Sequence, residues 1–312
     1  METDQFTTPR APLHDIGPML SRKISDIIEF DRTGRDPERV LSEWVGSNIF
    51  VSRLGQWVKQ IRVEDGTVGF LPNVFRSIYG RAFSPVPFSF LFDSPTVNVH
   101  GMYLGTDKID HFFQQGHEYY DQITHAQPDG AVTTAAIAKV VARGAKEEHT
   151  YYGTLVSGIY SNADLAANYA GMKFYLNLRH PVEIGGRVRP PLLEPSRGGW
   201  SFRAGVDRDH VLRAFVSDHL DESMNPSRYR FSRGAIRSRI RDRCDEWMRF
   251  YSDRLGRVAR SGRSFSTTWF GEDYGHWLPP GDEVSIATEC ATPLGSRQEQ
   301  GLSGPARARA TE

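Results

Sequence analysis

Apolar residues recur at the three- and four-residue spacing of an α-helix over most of the chain, which predicts a mainly helical fold. A short β-ribbon is predicted at about residues 182–203, where Pro190-Pro191 and Gly198-Gly199 supply turn residues. Asp36 before Pro37 is typical of a helix start. The predicted helices cover about residues 36–65, 107–124, 131–152, 162–178, 208–224 and 233–255.

Residues 67–104 lack this helical pattern. Pro72, Pro85, Pro87 and Pro95 separate a series of phenylalanines and exclude one continuous helix. The stretch is either an irregular aromatic wrap over the core or a surface that contacts lipid or a partner, and we favour the wrap because large exposed apolar patches are rare. The expected fold is an irregular helical bundle with a short β-ribbon and this aromatic, proline-rich wrap.

Residues 1–15 and 291–312 are poor in large apolar side chains, and we predict two disordered tails. The chain between them, residues 16–290, is predicted to be a single helical domain. It contains polar-core helices at about 107–178, the ribbon at about 182–203 and an arginine-rich helical part at about 208–263.

The 312-residue chain carries 38 basic and 38 acidic residues, a balance that argues against a nucleic-acid footprint over the whole protein. Cys244 and Cys290 are too few and too far apart to predict a disulfide framework or a thiolate zinc site, and Cys244 is expected to be a core thiol. We recognise neither a secretory signal nor a run of about 18 apolar residues. The expected location is the cytoplasm, with peripheral membrane association left open.

A line of polar residues follows one face of the helix predicted at 107–124. Apolar residues lie between its members, so the helix is expected to be buried, and buried titratable groups need partners. Asp107 stands one turn before His111, as a carboxylate does when it orients an imidazole that acts as a base or a metal ligand. The alternative makes Asp107 a helix-dipole residue and His111 a satisfied core histidine. The line consists of Asp107, His111, Gln114, Gln115, Glu118, Asp121 and His125.

A second polar line opens the helix predicted at 162–178. Ser161 and Asp164 have the spacing of a capping box, which is a structural explanation for both. Asn168 is unfavourable inside a helix, and the small residues around it allow another helix to approach closely. We therefore expect Asp164 and Asn168 to face Asp107 and His111 across two packed helices.

Two further acidic groups are candidates for the same site. One of Glu147 and Glu148 is expected to face inward, and we select Glu148. Residues 217–222 offer His219 and Glu222, although a solvated helix face explains that segment slightly better. A zinc-protease motif is excluded because His117 has no second histidine four residues later.

Residues 107–172 contain three short motifs: Asp107-Lys108-x-x-His111-Phe112, an acidic residue some forty positions later, and Ser161-x-x-Asp164-Leu165-x-Ala167-Asn168-x-x-Gly171. Together they resemble the signature of VanZ-like proteins and related small bacterial lipoproteins. Those families are envelope-associated, mostly membrane-embedded helical proteins. By position, the resemblance implies one constellation made of Asp107, Lys108, His111, Glu148, Asp164 and Asn168.

The segment 228–263 holds twelve arginines against four acidic residues. Arginine binds the phosphates of lipids or nucleic acids through its two-pronged guanidinium group. The alternative is an ordinary solvated helix face whose acidic residues pair with the arginines. We favour this alternative because no aromatic residues are placed for base stacking.

Three functions remain open. The first is a hydrolase or transferase with a helical polar site, which acts on a small or lipid-linked substrate, with or without a divalent metal. The second is a non-catalytic envelope or lipid-interacting protein, and the third is anion or nucleic-acid binding through residues 228–263, with nucleic acid disfavoured. The expected catalytic residues are Asp107, His111, Glu118, Glu148, Asp164 and Asn168. The expected metal ligands are His111, Glu118, Glu148, Asp164 and His219.

Overall fold

The structure is a computed structural model. It describes residues 12–31, 33–46, 52–64, 67–70, 95–125, 132–150, 158–225, 227–230, 233–250, 269–276 and 283–290. Residues 1–11 and 291–312, most of the predicted aromatic wrap and the end of the arginine-rich segment lie outside these residues. Residues 12–15, expected in the first disordered tail, are instead packed on the fold, because Leu13 and Asp15 form β-bridges with Thr67 and Asn98 and Leu13 is buried.

Helices account for most of the described chain, as the sequence predicts. No described helix combines the length and apolar character that crossing a bilayer requires. The α-helices are α1 Gly17–Phe30, α2 Pro37–Val45, α3 Arg53–Gln60, α4 Thr106–Asp110, α5 Gly116–His125, α6 Thr134–His149, α7 Asn162–Arg179, α8 Arg233–Arg241, α9 Cys244–Phe250 and α10 Ile286–Cys290. A π-helical segment occupies His111–Gln115, and short 3-10 turns occupy Asp218–Leu220 and Glu272–Tyr274.

The strands form small antiparallel sheets around the helices. One sheet has the order β1-β2-β3, and the other pairs are β4-β9, β5-β6 and β7-β8. The predicted ribbon is therefore two successive hairpins, β5-β6 and β7-β8. The strands are β1 Gly69–Phe70, β2 Thr96–Val99, β3 Met102–Gly105, β4 Ile159–Tyr160, β5 Val182–Ile184, β6 Arg187–Arg189, β7 Leu193–Ser196, β8 Gly199–Phe202 and β9 Arg228–Tyr229.

Three of the predicted helices differ from the structure. The helix expected at 36–65 is divided because Gly46, with φ of 77°, ends α2 and the side chain of Ser52 caps α3. The helix expected at 208–224 is wrong. Side chains there bond to nearby backbone amides, as Asp207 and Ser217 do, and such bonds compete with helix formation. The helix expected at 233–255 is divided between α8 and α9.

Helix α7 is the centre of the fold. All of its residues except Lys173 and Arg179 are buried. Its crossing with the helix of residues 106–125 is so close that a Cβ on Gly171 would lie 1.9 Å from the carbonyl oxygen of Phe112 and 3.0 Å from the Cα of Gly116. The small residues in α7 therefore permit the close helix approach that the sequence predicts.

The helix of residues 106–125 contains a π-helical turn at this crossing. The amide of Gly116 donates to the carbonyl of His111, five residues earlier. The hydroxyl of Tyr175 donates to the carbonyl of Phe113 at 2.9 Å, which gives that carbonyl a partner from the facing helix. Because a π turn changes the angular register, it ends the single polar face predicted from uniform helical pitch.

Helices α8, α9 and α10 lie outside the main apolar cluster. Buried residues of α8 and α10, such as Ile236 and Ile286, do not belong to the main apolar cluster, which draws on α1 to α7. The prediction that Cys244 is a core thiol is wrong, because Cys244 and Cys290 form a disulfide with their Cα atoms 5.3 Å apart. The 46-residue separation obscured this pairing, since α10 returns to α9 only in the tertiary fold.

Candidate functional site

Lys108 lies at the centre of a buried charged network. Its ammonium Nζ is 2.6 Å from Oδ1 of Asp164, 2.8 Å from Oδ2 of Asp107 and 3.3 Å from Oε2 of Glu222. The side chains of Lys108 and Glu222 are 0% exposed, and that of Asp107 is 21% exposed. A lysine is almost never fully buried unless its charge is paired, and here three carboxylates from separate segments supply the pairing.

His111 connects this network to the protein surface. Its Nδ1 is 3.0 Å from Oδ1 of Asn168, and its Nε2 is 3.5 Å from Oδ2 of Asp164. With the Asn168 oxygen as acceptor, Nδ1 carries the hydrogen, and Nε2 is the nitrogen that can gain or lose a proton. The ring is 17% exposed, whereas Asp164 and Asn168, which contact its two nitrogens, are buried.

Asp164 is the carboxylate shared by Lys108 and His111. Burial alone would raise the pKa of Asp164, but the charges of His111 and Lys108 together hold it below its usual value of 3.8. The ionised carboxylate therefore holds Lys108 in place and faces Nε2 of His111.

Ser161 ties the network to the start of α7. Its hydroxyl accepts a hydrogen bond from the amide of Asp164 at 3.0 Å and donates one to Oε2 of Glu222 at 2.6 Å. Its own amide donates to Oε1 of Glu148 at 2.9 Å. The N-cap that the sequence predicts is therefore present, and it also joins the side chains of Glu148 and Glu222 to the backbone at the start of α7.

The structure brings most of the predicted catalytic residues together, but not all. Asp107, His111, Asp164 and Asn168 meet in this network, and Glu148 joins it through Ser161. Glu147, the alternative to Glu148, instead pairs with Arg143 on the outer face of α6.

Glu118 lies outside the network, at an exposed position beyond the π turn. The last two members of the first polar line, Asp121 and His125, pair with each other in solvent, with side chains 51% and 76% exposed. The prediction that all seven members share one buried face is therefore wrong.

The acidic segment 217–222 is buried, not a solvated face. Nδ1 of His219 is 2.8 Å from the hydroxyl oxygen of Ser217, and its ring packs against Phe270 with ring centroids 4.9 Å apart. It is Glu222 that reaches Lys108. Among the described residues, no group of three or more His, Cys, Asp or Glu side chains is arranged to hold a metal ion. The predicted metal site, with His219 among its ligands, stays a prediction.

Tyr119 and His276 extend the hydrogen-bonded network beyond Asn168. Burial raises the pKa of the Tyr119 hydroxyl well above its usual range, and a hydrogen bond with the Asn168 side chain offsets this only in part. The same hydroxyl lies 3.4 Å from Nε2 of His276, and burial lowers the pKa of that histidine to about 3. Tyr119 and His276 are therefore both uncharged at neutral pH and add no charge to the network.

Three participants were missed or identified only through the family resemblance. Lys108 was identified only through the resemblance, and Ser161 was expected as a helix cap. Glu222 was a weaker candidate, because a solvated helix face explained its segment slightly better. Lys108 stands one helical turn before Phe112, on an apolar face, and a lysine at such a position is a recognisable signal of a buried charge. Glu222 gave no comparable signal because its segment is not helical.

Asp110 is a further, partly buried carboxylate, one residue before His111. Its Oδ1 accepts hydrogen bonds from the hydroxyl and the amide of Ser52, the N-cap of α3. Burial raises the pKa of Asp110 from 3.8 to about 6, against the effect of these bonds. Between these two values the folded protein holds a proton that the unfolded chain has lost, so the free energy of unfolding falls as pH rises through this window.

We expect Asp110→Asn to stabilise the protein at pH 8, because asparagine still accepts from Ser52 but does not ionise. The pKa shift sets an upper limit of about 3 kcal/mol on the gain. Urea unfolding at pH 8 and pH 4 checks this, with the gain present at pH 8 and absent at pH 4. An equal effect at both pH values would mean that the carboxylate charge is not the cause.

No family model matches the chain, and neither a curated protein nor a solved structure matches it. The VanZ-like resemblance of residues 107–172 therefore stays a prediction, and the functional argument depends on the geometry of the network.

Proposed function

We propose that the network is an acid–base centre for hydrolysis or group transfer, with His111 as the residue that accepts and returns the proton. The observation that carries this proposal is the position of His111. The ring is fixed at Nδ1 by Asn168, and Nε2 is 3.5 Å from the Asp164 carboxylate in a partly exposed location. That distance is longer than a charge-assisted hydrogen bond, so Nε2 remains available to a water or a substrate hydroxyl.

In this mechanism the neutral ring takes a proton at Nε2 from the attacking water or hydroxyl and returns it to the leaving group. The imidazolium that forms between these two steps is stabilised by the negative charge of Asp164. Lys108 helps to hold the pKa of Asp164 below its usual value, so this carboxylate does not take the proton itself.

The state of Asp107 supports a functional centre over a purely structural one. Its Oδ2 contacts Lys108, whereas its Oδ1 is buried and has no hydrogen-bond partner among the described residues. Buried polar atoms in folded proteins are nearly always paired, and the exceptions need an explanation. An oxygen reserved for a proton or hydroxyl of the substrate is such an explanation.

The complete burial of Lys108 favours a second candidate, a non-catalytic network that only specifies how the helices pack. Buried polar networks can have that role. The two candidates differ in what His111 does. In the structural case, loss of the ring changes stability and no reaction is affected. In the catalytic case, turnover is lost and the fold persists.

The test is hydrolysis of a panel of chromogenic esters, phosphoesters and glycosides by the purified protein. The VanZ-like resemblance adds lipid-linked substrates to the panel. We expect turnover of at least one class, and His111→Ala should lower it by about a hundredfold or more, the usual contribution of a general base.

His125→Ala is the matched control, since His125 is an exposed histidine on the same continuous helix. It should leave both rate and stability unchanged. An inactive wild-type protein, or equal rates in wild type and His111→Ala, would contradict the proposal. Elemental analysis of the same samples tests the metal-dependent form of the reaction. That form requires stoichiometric metal that is lost in His111→Ala and retained in His125→Ala.

The third function, binding through the arginine-rich segment, has less support in the described part of that segment. Arg237 and Arg241 pair with Glu289 at 2.9 and 2.7 Å, and Arg243 pairs with Glu246 at 2.5 Å. Arginines that are neutralised in this way are less available to phosphate. For the residues beyond 250, anion binding stays a prediction.

A further inference from the structure

Residues 283–290, here called the clasp, are attached to α8 and α9 by side chains. Cys290 forms the disulfide with Cys244 at the start of α9. The carboxylate of Glu289 is 2% exposed and contacts Arg237 at 2.9 Å and Arg241 at 2.7 Å. The clasp is therefore fixed at its C-terminal end by one covalent bond and two ion pairs.

The other end of the clasp is attached to residues 223–227 by backbone hydrogen bonds. Ser227 and Val284 exchange two of them, at 3.0 and 3.1 Å, and the amide of Ile286 donates to the carbonyl of Ser223 at 2.9 Å. Val284 and Ile286 are both fully buried in this contact. The clasp thus fixes the backbone directly after Glu222.

Residues 222–228 in turn hold the polar network. Glu222 contacts Lys108 and accepts from the Ser161 hydroxyl. The hydroxyl of Ser227 accepts from the amide of Asn162 at 3.4 Å, and Arg228 pairs with Tyr160 in the β4-β9 ladder. A continuous series of contacts therefore leads from the disulfide through the clasp to both sides of Ser161.

The disulfide is placed where reduction can change this attachment without unfolding the protein. Cys244 and Cys290 are the only cysteines of the chain, so no other pairing can replace theirs. Both are partly exposed, which leaves the bond accessible to a small dithiol. The main apolar cluster does not include the buried residues of α8, α9 and α10, so the clasp can open locally while the main core stays folded.

We propose that the Cys244–Cys290 disulfide is a redox latch that controls how tightly Glu222 and Ser161 are held in the network. A dithiol reductant supplies the two electrons. One thiolate of the reductant attacks one sulfur of the bond, which gives a mixed disulfide and releases the other cysteine. The second thiolate of the reductant then attacks the reductant sulfur of the mixed disulfide and releases the remaining cysteine. Cys244 and Cys290 each take up a proton, and the reductant becomes a disulfide. The regulatory meaning of the latch rests on the proposed acid–base function, but its structural effect does not.

The test is amide hydrogen exchange, measured by mass spectrometry on the full chain after oxidation with glutathione disulfide and again after reduction with dithiothreitol. We expect amides of residues 158–164 and 222–228 to exchange about tenfold faster in the reduced protein, as for a local opening. Amides of α1 and of the α5–α7 crossing should not change, and reoxidation should restore the slow rates.

The double variant Cys244→Ser/Cys290→Ser is the control. It should show the fast rates at residues 222–228 in the absence of reductant and should not respond to it. The proposal is overturned if the glutathione-treated protein still titrates two thiols, if residues 222–228 exchange equally in both states, or if the whole chain accelerates together. If reduction accelerates amide exchange at these residues but the protein turns over no substrate of the panel, the redox latch is supported and the acid–base function is contradicted.

Discussion

Lys108→Met lowers the free energy of unfolding by about 3–5 kcal/mol at pH 8, the usual cost of removing one partner from a buried ion pair. Methionine fills a similar volume but leaves Asp107, Asp164 and Glu222 without the ammonium that lies 2.6–3.3 Å from them. The carboxylates must then either remain charged in the interior or take up protons, and both cost stability at this pH.

The loss should depend on pH in a definite direction. In the wild type the pKa of Asp164 is held below 3.8, so its ionised form adds stability above that pH, and this contribution disappears as pH falls. In the variant, burial is no longer opposed by Lys108, and the carboxylates ionise less readily. The difference between the two proteins should therefore be largest at pH 8 and should shrink toward pH 4.

Lys173→Met is the matched control for this measurement. Lys173 lies in α7 with its side chain 12% exposed, and its only ion pair among the described residues is with Asp273 at 3.7 Å. We expect a loss below about 1 kcal/mol, with little pH dependence. Urea unfolding at several pH values compares the two variants, and equal losses would mean that Lys108 is not a special site of paired charge.

Gly171→Ala should lower the free energy of unfolding by at least about 3 kcal/mol, the upper end of the usual cost of overpacking. The new Cβ would lie 1.9 Å from the carbonyl oxygen of Phe112, at the π turn, and 3.0 Å from the Cα of Gly116. All of these are backbone atoms, so no side chain can rotate away. The two helices must separate, and His111 and Asp164 must separate with them.

Gly234→Ala in α8 is the control, because no atom of the described part of the chain lies within 4 Å of the position its Cβ would take. Since alanine favours a helix more than glycine does, this variant should be unchanged or more stable by up to about 1 kcal/mol. Thermal unfolding measures both. A Gly171→Ala protein with wild-type stability would contradict the close crossing that positions the site.

The parts of the fold that follow a regular pattern could be predicted from the sequence. Helix α7 was predicted within one residue because Ser161 caps it and apolar residues continue to its end. The start of α2 followed from Asp36 and Pro37. The meeting of Asp107 and His111 with Asp164 and Asn168 could also be predicted, because buried polar residues on two helices with small residues between them need each other as partners.

The rest of the fold and of the site depends on contacts that leave no repeating pattern of apolar residues in the sequence. The π turn at His111–Gln115 is packed against Tyr175 and Gly171 of another helix. A prediction that assumes a uniform helical pitch cannot include this turn, so it placed Glu118 on the buried face, whereas Glu118 is exposed. The segment that holds Glu222 looked helical because the local hydrogen bonds of Asp207 and Ser217 are not visible in hydrophobic spacing. The pairing of Cys244 with Cys290 depends on where α10 packs, which no local signal specifies.

The central claim is that His111 is fixed by Asn168 and faces Asp164, and nitrogen-15 NMR of the imidazole tests it most directly. We predict that Nδ1 of His111 carries a slowly exchanging proton at neutral pH in the wild type and loses this protection in Asn168→Ala, whereas His125 is the same in both proteins. A His111 ring with its proton on Nε2, unaffected by Asn168→Ala, would contradict the account.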